Sequence, residues 1–443
     1  MKITNLLGNW KFSPPQILAL GFLIVIIFGT ILLKTPWSTV GGISWINALF
    51  TATSATTVTG LVVVDTGHDF TVFGQVIIMI LIKIGGLGLM TFAIMTVLLL
   101  GKRIGIRERL LIQESLNQHS IGGVVRLVKI LFIFSIAMEL IAAVFLSVRW
   151  IPEHGWGFGI YTSIFHAIST FNNAGFSLWS DSLSGYVGDP IINIIITILF
   201  IIGGIGFTVV YDVMTTRKFR LLALHTKIML VGTLFLNILA MFVIFTLEYS
   251  NPMTLGGLTT GEQLFAAYFQ AVTPRTAGFN TIEIGDMTPG SIVFTLLLMF
   301  IGAGSASTGS GIKLTTFLVI IFAVISYLRG NQETIIFRRK INDDIIHRAL
   351  AISFISLTIV FASVLSLSIT EKAPFIHIVF EAFSAFGTVG LSMGLTDDLS
   401  FIGKQIIITL MFIGRIGPLT LAFALAKSSK PSVSYPKGDV FTG

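Results

Sequence analysis

Apolar residues come in two lengths along this chain. Long runs fall near 16–34, 127–148, 226–247 and 346–369, and again near 72–100, 190–213, 290–327 and 402–425. Each can cross a membrane, since about 20 apolar residues span the hydrocarbon core. Between the members of each pair lies a shorter amphipathic segment, at 44–55, 159–171, 261–272 and 374–385. As a helix of about 12 residues it would be about 18 Å long, against roughly 30 Å of hydrocarbon. Such a segment can only dip in and return. The pattern predicts an all-α integral membrane protein of four tandem span, re-entrant half-helix, loop and span units. That gives eight transmembrane helices and four half-helices around a central pore. The units expected are 16–100, 101–213 (first span from about 127), 214–327 (first span from about 226, second broken at 302–311) and 328–426 (first span from about 346). Cytoplasmic ends flank them at 1–15 and 427–443.

The four units share a register. FTATSATTVTGL (50–61), FHAISTFNNAGF (165–176), YFQAVTPRTAGF (268–279) and FEAFSAFGTVGL (380–391) align on Gly60, Gly175, Gly278 and Gly390. Ten residues before each glycine stands an aromatic; six before stand Ser54, Ser169, Val272 and Ser384. A second glycine cluster follows each: IGGLG (84–88), IGGIG (202–206), IGAGS (301–305) and IGRIG (413–417). With 44 glycines in 443 residues one match is cheap, but two glycine registers and an aromatic register in four copies are not.

Composition narrows the class. Only 11% of residues are charged and 54% are hydrophobic, where a soluble domain carries about 25% charged. There is no cysteine, so disulfides and thiol chemistry are excluded. Residues 16–33 read as a retained first span, with no A-x-A-like site after them. The net charge of +7 reflects orientation rather than nucleic-acid binding. Basic clusters such as Lys102, Arg103, Arg107 and Arg109, or Arg338, Arg339 and Lys340, fall on one side; only Lys34, Arg149, Lys372 and Lys404 fall on the other. Positive-inside bias then puts both termini in the cytoplasm of a multi-pass cell-membrane protein, with the half-helices entering from outside.

Irregular backbone at membrane depth must be buried in protein or line water. Four such loops entering from one side would ring an axis with carbonyls, which can replace the hydration shell of K+. Glycine permits this because it takes φ > 0 without a Cβ clash. The first loop, TTVTG (56–60), is close to the TVG core of a potassium-channel filter; FNNAG, PRTAG and FGTVG are looser. With four such repeats, one glycine per loop and a broken third following span, the chain resembles the membrane subunits of Ktr-type potassium uptake systems, in the Trk/Ktr/HKT superfamily. The resemblance covers nearly the whole chain. It implies a K+ pore made by one chain, usually in a homodimer surrounded by membrane lipid. It also implies a cytosolic RCK-type ring that would bind ATP or ADP, and stimulation by Na+ in several members. No cofactor is expected on this chain, which has no GxxxxGK[ST] motif.

The filter candidates are Thr57, Val58, Thr59 and Gly60; Asn172, Asn173, Ala174 and Gly175; Arg275, Thr276, Ala277 and Gly278; and Gly387, Thr388, Val389 and Gly390. Glycine at position 60 points to K+ selectivity, because Na+-permeable relatives often carry serine there. Asn172 and Asn173 either lend side-chain oxygens to the ion or stitch the loops. Arg275 would repel cations if it faced the axis, so it is expected behind the filter, braced against an acid such as Glu381. Glu139 and Lys83 are expected to pair or to meet water. The third following span, at 38 residues, would make a helix of about 57 Å. Its soft stretch (Gly302, Ala303, Gly304, Ser305, Ala306, Ser307, Thr308, Gly309, Ser310 and Gly311) falls under the filter. It reads as an intramembrane gate, with a plain kink or cytoplasmic extension as the alternative. Arg415 is either a fixed positive barrier to cations or half of an ion pair between helices or protomers.

Two other classes fit less well. A secondary transporter also uses broken helices, but those folds usually pair inverted halves. An enzyme needs a nucleophile–base pair or a metal site, and seven scattered histidines offer none; His166 is expected to be a packed or hydrogen-bonded residue.

Overall fold

The computed structural model describes residues 14–88, 91–92, 124–418 and 420. Residues 1–13 of the expected N-terminal end, the expected C-terminal end at 427–443 and the basic cluster at 102–109 lie outside them. The structure is predominantly helical. Four long helices, α1 (Pro14–Leu33), α4 (Val124–His154), α8 (Leu224–Glu248) and α12 (Asp343–Thr370), are apolar enough to cross a membrane. Their outward faces carry exposed apolar stripes, such as Ile24, Ile27, Phe28 and Ile31 on α1 and Leu234, Phe235, Ile238 and Phe242 on α8. A helix that turns apolar side chains outward is matched to lipid.

After each long helix comes a short buried one: α2 (Trp45–Thr57), α5 (Trp156–Phe171), α9 (Thr260–Val272) and α13 (Phe375–Gly387). Local signals set their starts. Ser44 accepts from the Asn47 N–H ahead of α2, and Thr259 with Glu262 forms a capping box ahead of α9.

A second apolar helix follows in each case: α3 (Val72–Leu87), α6 (Pro190–Gly204), α10 (Pro289–Phe300) and α14 (Phe401–Ile416). These are shorter than the sequence pattern implies. The run at 190–213 is not one helix: α6 meets α7 (Phe207–Thr216) at 95°. The cause is Gly206 at φ 108°, a conformation closed to a continuing helix. Gly88 (φ 83°) and Gly417 (φ 92°) end α3 and α14 at the same point of their glycine clusters. In the third cluster that position is Ser305, and the chain stays non-helical over 301–313 until α11 (Leu314–Leu328). Interruption is therefore common to all four glycine clusters, and the third differs in length. Among the described residues four helices are long enough to span, or five with the bent pair counted, against eight expected. A two-stranded hairpin, β1 (Ile335–Ile336) with β2 (Arg339–Lys340), is the one pair of strands among the described residues.

The packing closes on itself. Helix α3 lies against α5, α6 against α9, α10 against α13, and α14 against α2. Within the first, second and fourth units the first cluster glycine lets the second apolar helix close on its own short helix. A Cβ on Gly85, Gly203 or Gly414 would collide with the carbonyl oxygen of Thr56, Phe171 or Phe386, each four residues before an aligned glycine.

Candidate functional site

The four aligned glycines meet. A Cβ on Gly60 would lie 3.0 Å from the Gly175 Cα, one on Gly175 2.9 Å from the Gly278 Cα, one on Gly278 3.4 Å from the Gly390 Cα, and one on Gly390 3.0 Å from the Gly60 Cα. The carbonyls one residue earlier fill the intervals. Ala174 O would sit 2.5 Å from a Cβ on Gly60, Val389 O 2.6 Å from one on Gly278, and Ala277 O 3.2 Å from one on Gly175; Thr59 O closes on Gly390. Residues separated by more than a hundred positions thus form a ring with no room for side chains.

Backbone hand repeats too. The glycines have φ of 95°, 69°, 79° and 91°. Two residues earlier Val58, Asn173, Thr276 and Thr388 also have positive φ, at 59°, 57°, 73° and 49°. A β-branched residue in this region is an outlier, and such strain persists only where the surroundings over-determine it. Here three of the four sit at the left-handed position of a Schellman turn ending a short helix. Val58 N–H donates to Ala55 O and Thr59 N–H to Ser54 O; Asn173 and Ala174 repeat this with Thr170 and Ser169, and Thr388 and Val389 with Ala385 and Ser384. The third loop departs: Ala277 N–H donates to Thr273 O instead. The serine register also acquires a role. Gly60 N–H donates to Ser54 Oγ at 3.1 Å and Gly390 N–H to Ser384 Oγ at 3.2 Å; Val272 cannot do this in the third loop.

The other candidates are engaged by neighbouring protein groups. Thr57 Oγ1 donates to Thr53 O at 2.7 Å, within its own helix. Gly387 packs on α10, where a Cβ would lie 2.7 Å from Met299 O. Asn172 Nδ2 donates to Glu139 Oε1 at 3.0 Å. Asn173 Nδ2 donates to Thr276 Oγ1 at 3.3 Å and its Oδ1 accepts from Thr308 at 3.2 Å. Both asparagines stitch. Arg275 and Glu381 do not pair. The Arg275 guanidinium is buried against α8, donating to Asn237 Oδ1 at 2.8 Å and reaching Thr233 Oγ1 at 3.5 Å. Glu381 accepts from Ser392 Oγ at 2.9 Å and from Thr396 Oγ1. Neutral donors replace the expected ion pair because the arginine turns to its own leading helix. His166 is buried, its Nδ1 2.8 Å from Thr162 O and its ring stacked on Trp179.

Above the glycines lies a cavity of about 240 Å³, lined by Gly60, Gly175, Gly278 and Gly390 at its base. One acid follows each loop into it: Asp65, Asp181, Glu283 and Asp397. Burial, with Asp398 and Asp65 nearby, pushes the Asp397 carboxyl above the ordinary range. The sequence does not bring these acids into one register, since their offsets from the aligned glycines differ.

Below the ring runs the non-helical stretch 301–313. Gly304 N–H donates to Gly204 O at 2.8 Å and Phe207 N–H to Ala306 O at 2.7 Å, which ties it to the second glycine cluster. Lys313 Nζ donates to Gly309 O at 2.8 Å. From the other side Arg415 donates to Thr308 O and reaches Ser310 Oγ at 3.2 Å, while its second nitrogen donates to Gly85 O and approaches Gly86 O at 3.4 Å. Its partners are carbonyls and a hydroxyl rather than a carboxylate. One guanidinium therefore joins the first and fourth glycine clusters to the non-helical stretch.

Residues 16–435 match the family model of TrkH, described as a cation transport protein. The chain belongs to the TrkH family of cation transport proteins. Membership makes it a multi-pass membrane transport protein rather than an enzyme. It is 64% identical over 433 residues to the Ktr system potassium uptake protein B of Bacillus subtilis, covering 98% of this chain and 97% of that one. It is 45% identical to the protein of the same name from Vibrio alginolyticus, over 98% of this chain and 96% of that one. Its fold matches the crystal structure of the potassium transporter TrkH from Vibrio parahaemolyticus, with a TM-score of 0.72 and 22% identity over 92% of this chain and 85% of the other.

Proposed function

We propose that this TrkH-family chain takes up K+ through a selective pore along the axis of its four glycine loops. The names of its relatives support K+ as the ion. The contact of Gly60, Gly175, Gly278 and Gly390, with the carbonyls of Thr59, Ala174, Ala277 and Val389 between them, supports the filter. Carbonyls at such a ring can stand in for water around a bare cation. The four acids of the outer cavity would concentrate cations at its mouth. The four units are proposed as 16–100, 101–213, 214–327 and 328–426, with the short helices as re-entrant half-helices. Their C-terminal ends, partly negative, point to the ring.

The stretch 302–311 is the proposed gate and Arg415 its latch. Glycines let such a segment reshape at low cost, and the guanidinium ties to Thr308, Ser310, Gly85 and Gly86 hold it under the filter. A homodimer, a cytosolic nucleotide-binding ring, stimulation by Na+ and cytoplasmic termini are proposed on the family resemblance and the charge bias alone. Expression in bacteria lacking K+ uptake, with and without an RCK-type partner, tests the function. Growth at low K+ is expected; failure to grow with the protein present in the membrane would refute it.

A further inference from the structure

Inside the membrane layer Lys83 of α3 and Glu139 of α4 form an ion pair at 2.5 Å. Both are largely buried, with side-chain exposures of 15% and 9%. The other glycine clusters carry Ile201, Phe300 and Phe412 at the position of Lys83, so the fold does not require a charge there. Charges in such a place are expensive and tend to serve a function.

What the pair touches indicates the function. Glu139 Oε1 accepts from Asn172 Nδ2 at 3.0 Å, and Asn172 is the residue after helix α5, three before Gly175. The Lys83 ammonium lies 5.9 Å over the ring of Phe171, the last residue of α5, and donates to Ser135 Oγ at 2.6 Å. The pair thus grips both residues from which the second glycine loop departs. Arg275, in the same register of the third loop, is likewise tied back to its own leading helix. Thr57 stays within its own turn and Gly387 has no side chain to use.

We propose that Lys83 and Glu139 are positioning residues that set ion discrimination by holding Asn172, and with it the second loop, at a fixed distance from the axis. This rests on the reading of the glycine ring as a K+ filter. Glu139 supplies the acceptor that ties Asn172 to another helix, beside its bond to Ile168 O within α5; Lys83 compensates its charge from the neighbouring helix.

Removing one partner alone would strand a buried charge, so the test uses neutral doubles. K83M/E139Q keeps an acceptor oxygen for Asn172, and K83M/E139L removes it. Rubidium and sodium flux into proteoliposomes gives the K+-like over Na+ ratio. K83M/E139Q should stay within about twofold of the wild type, and K83M/E139L should fall by roughly fivefold, the scale of one hydrogen bond. A merely structural pair would lower the amount of folded protein in both doubles and leave the ratio alone. If a double fails to reach the membrane, N172A, which leaves the pair whole, decides: the same fall supports the proposal and an unchanged ratio overturns it. A wild type without K+ preference would defeat the filter reading itself. A wild-type preference that K83M/E139L retains would defeat this proposal alone.

Discussion

Arg415 donates a hydrogen bond to the backbone carbonyl of Thr308, 107 residues away in sequence. A carbonyl held by a fixed cation is held more firmly than one held by a neutral donor, since charge-assisted bonds are roughly twice as strong. Replacing Arg415 with Met removes both the barrier charge and the latch. K+ flux should rise, by about tenfold if about 1.4 kcal/mol leaves the barrier. Rubidium uptake normalised to protein in the membrane checks this; unchanged or lower flux would contradict the latch.

Shortening the stretch between Gly302 and Gly311 should raise flux and leave the K+ over Na+ ratio as it was. The gate and the ring share no glycine; the stretch meets the loops through the Thr308 bond to Asn173 and where Gly309 and Gly311 lie against Thr276 and Gly387, not at the ring glycines. Parallel rubidium and sodium uptake measures both quantities. Loss of discrimination would assign the stretch to the filter instead.

Ser54→Ala and Ser384→Ala each leave a glycine N–H of the ring without its hydroxyl acceptor. An unsatisfied buried donor costs about 1–3 kcal/mol. Both variants should melt lower and discriminate less between K+ and Na+. Ser169→Ala should do neither, because no hydrogen bond joins the Ser169 hydroxyl to Gly175. Thermal unfolding in detergent and the flux ratio check the contrast.

These serines show what the chain makes legible. Their register was visible, as were the aligned glycines, the short helices and the non-helical stretch, because each is written in residue type or apolar spacing. The left-handed backbone at Val58 was not, since valine disfavours that conformation and only the closed packing of the four loops imposes it. The ends of α3, α6 and α14 were hidden because apolar residues continue past Gly88, Gly206 and Gly417; hydropathy does not register a change of φ. The Arg275–Glu381 pair failed for a related reason. Sequence shows which charges exist, while the direction of a side chain decides whether Asn237 or an acid receives it.

The cavity above the glycine ring, proposed to face outward, gives a pH dependence with a defined sign. The Asp397 carboxyl is shifted upward, so it takes its proton at a higher pH than an ordinary aspartate. As external pH falls, the mouth loses this negative charge early, and uptake at low K+ should decline with it. Asp397→Asn should lower uptake at neutral pH and abolish that early part of the decline. High salt should shrink the difference, since the Debye length is only about 3 Å at 1 M. Uptake against external pH at two ionic strengths checks both.

The identity of the ring as a K+ filter is decided at Gly60. Its φ of 95° and the Ala174 carbonyl, 2.5 Å from any Cβ there, leave no place for a side chain without moving a ring carbonyl. The measurement is the K+ to Na+ permeability ratio of Gly60→Ser against wild type in the same membranes. The wild type should prefer K+, and the serine variant should admit Na+ while still reaching the membrane and carrying K+. A serine variant that keeps the wild-type ratio would place ion discrimination somewhere other than this ring.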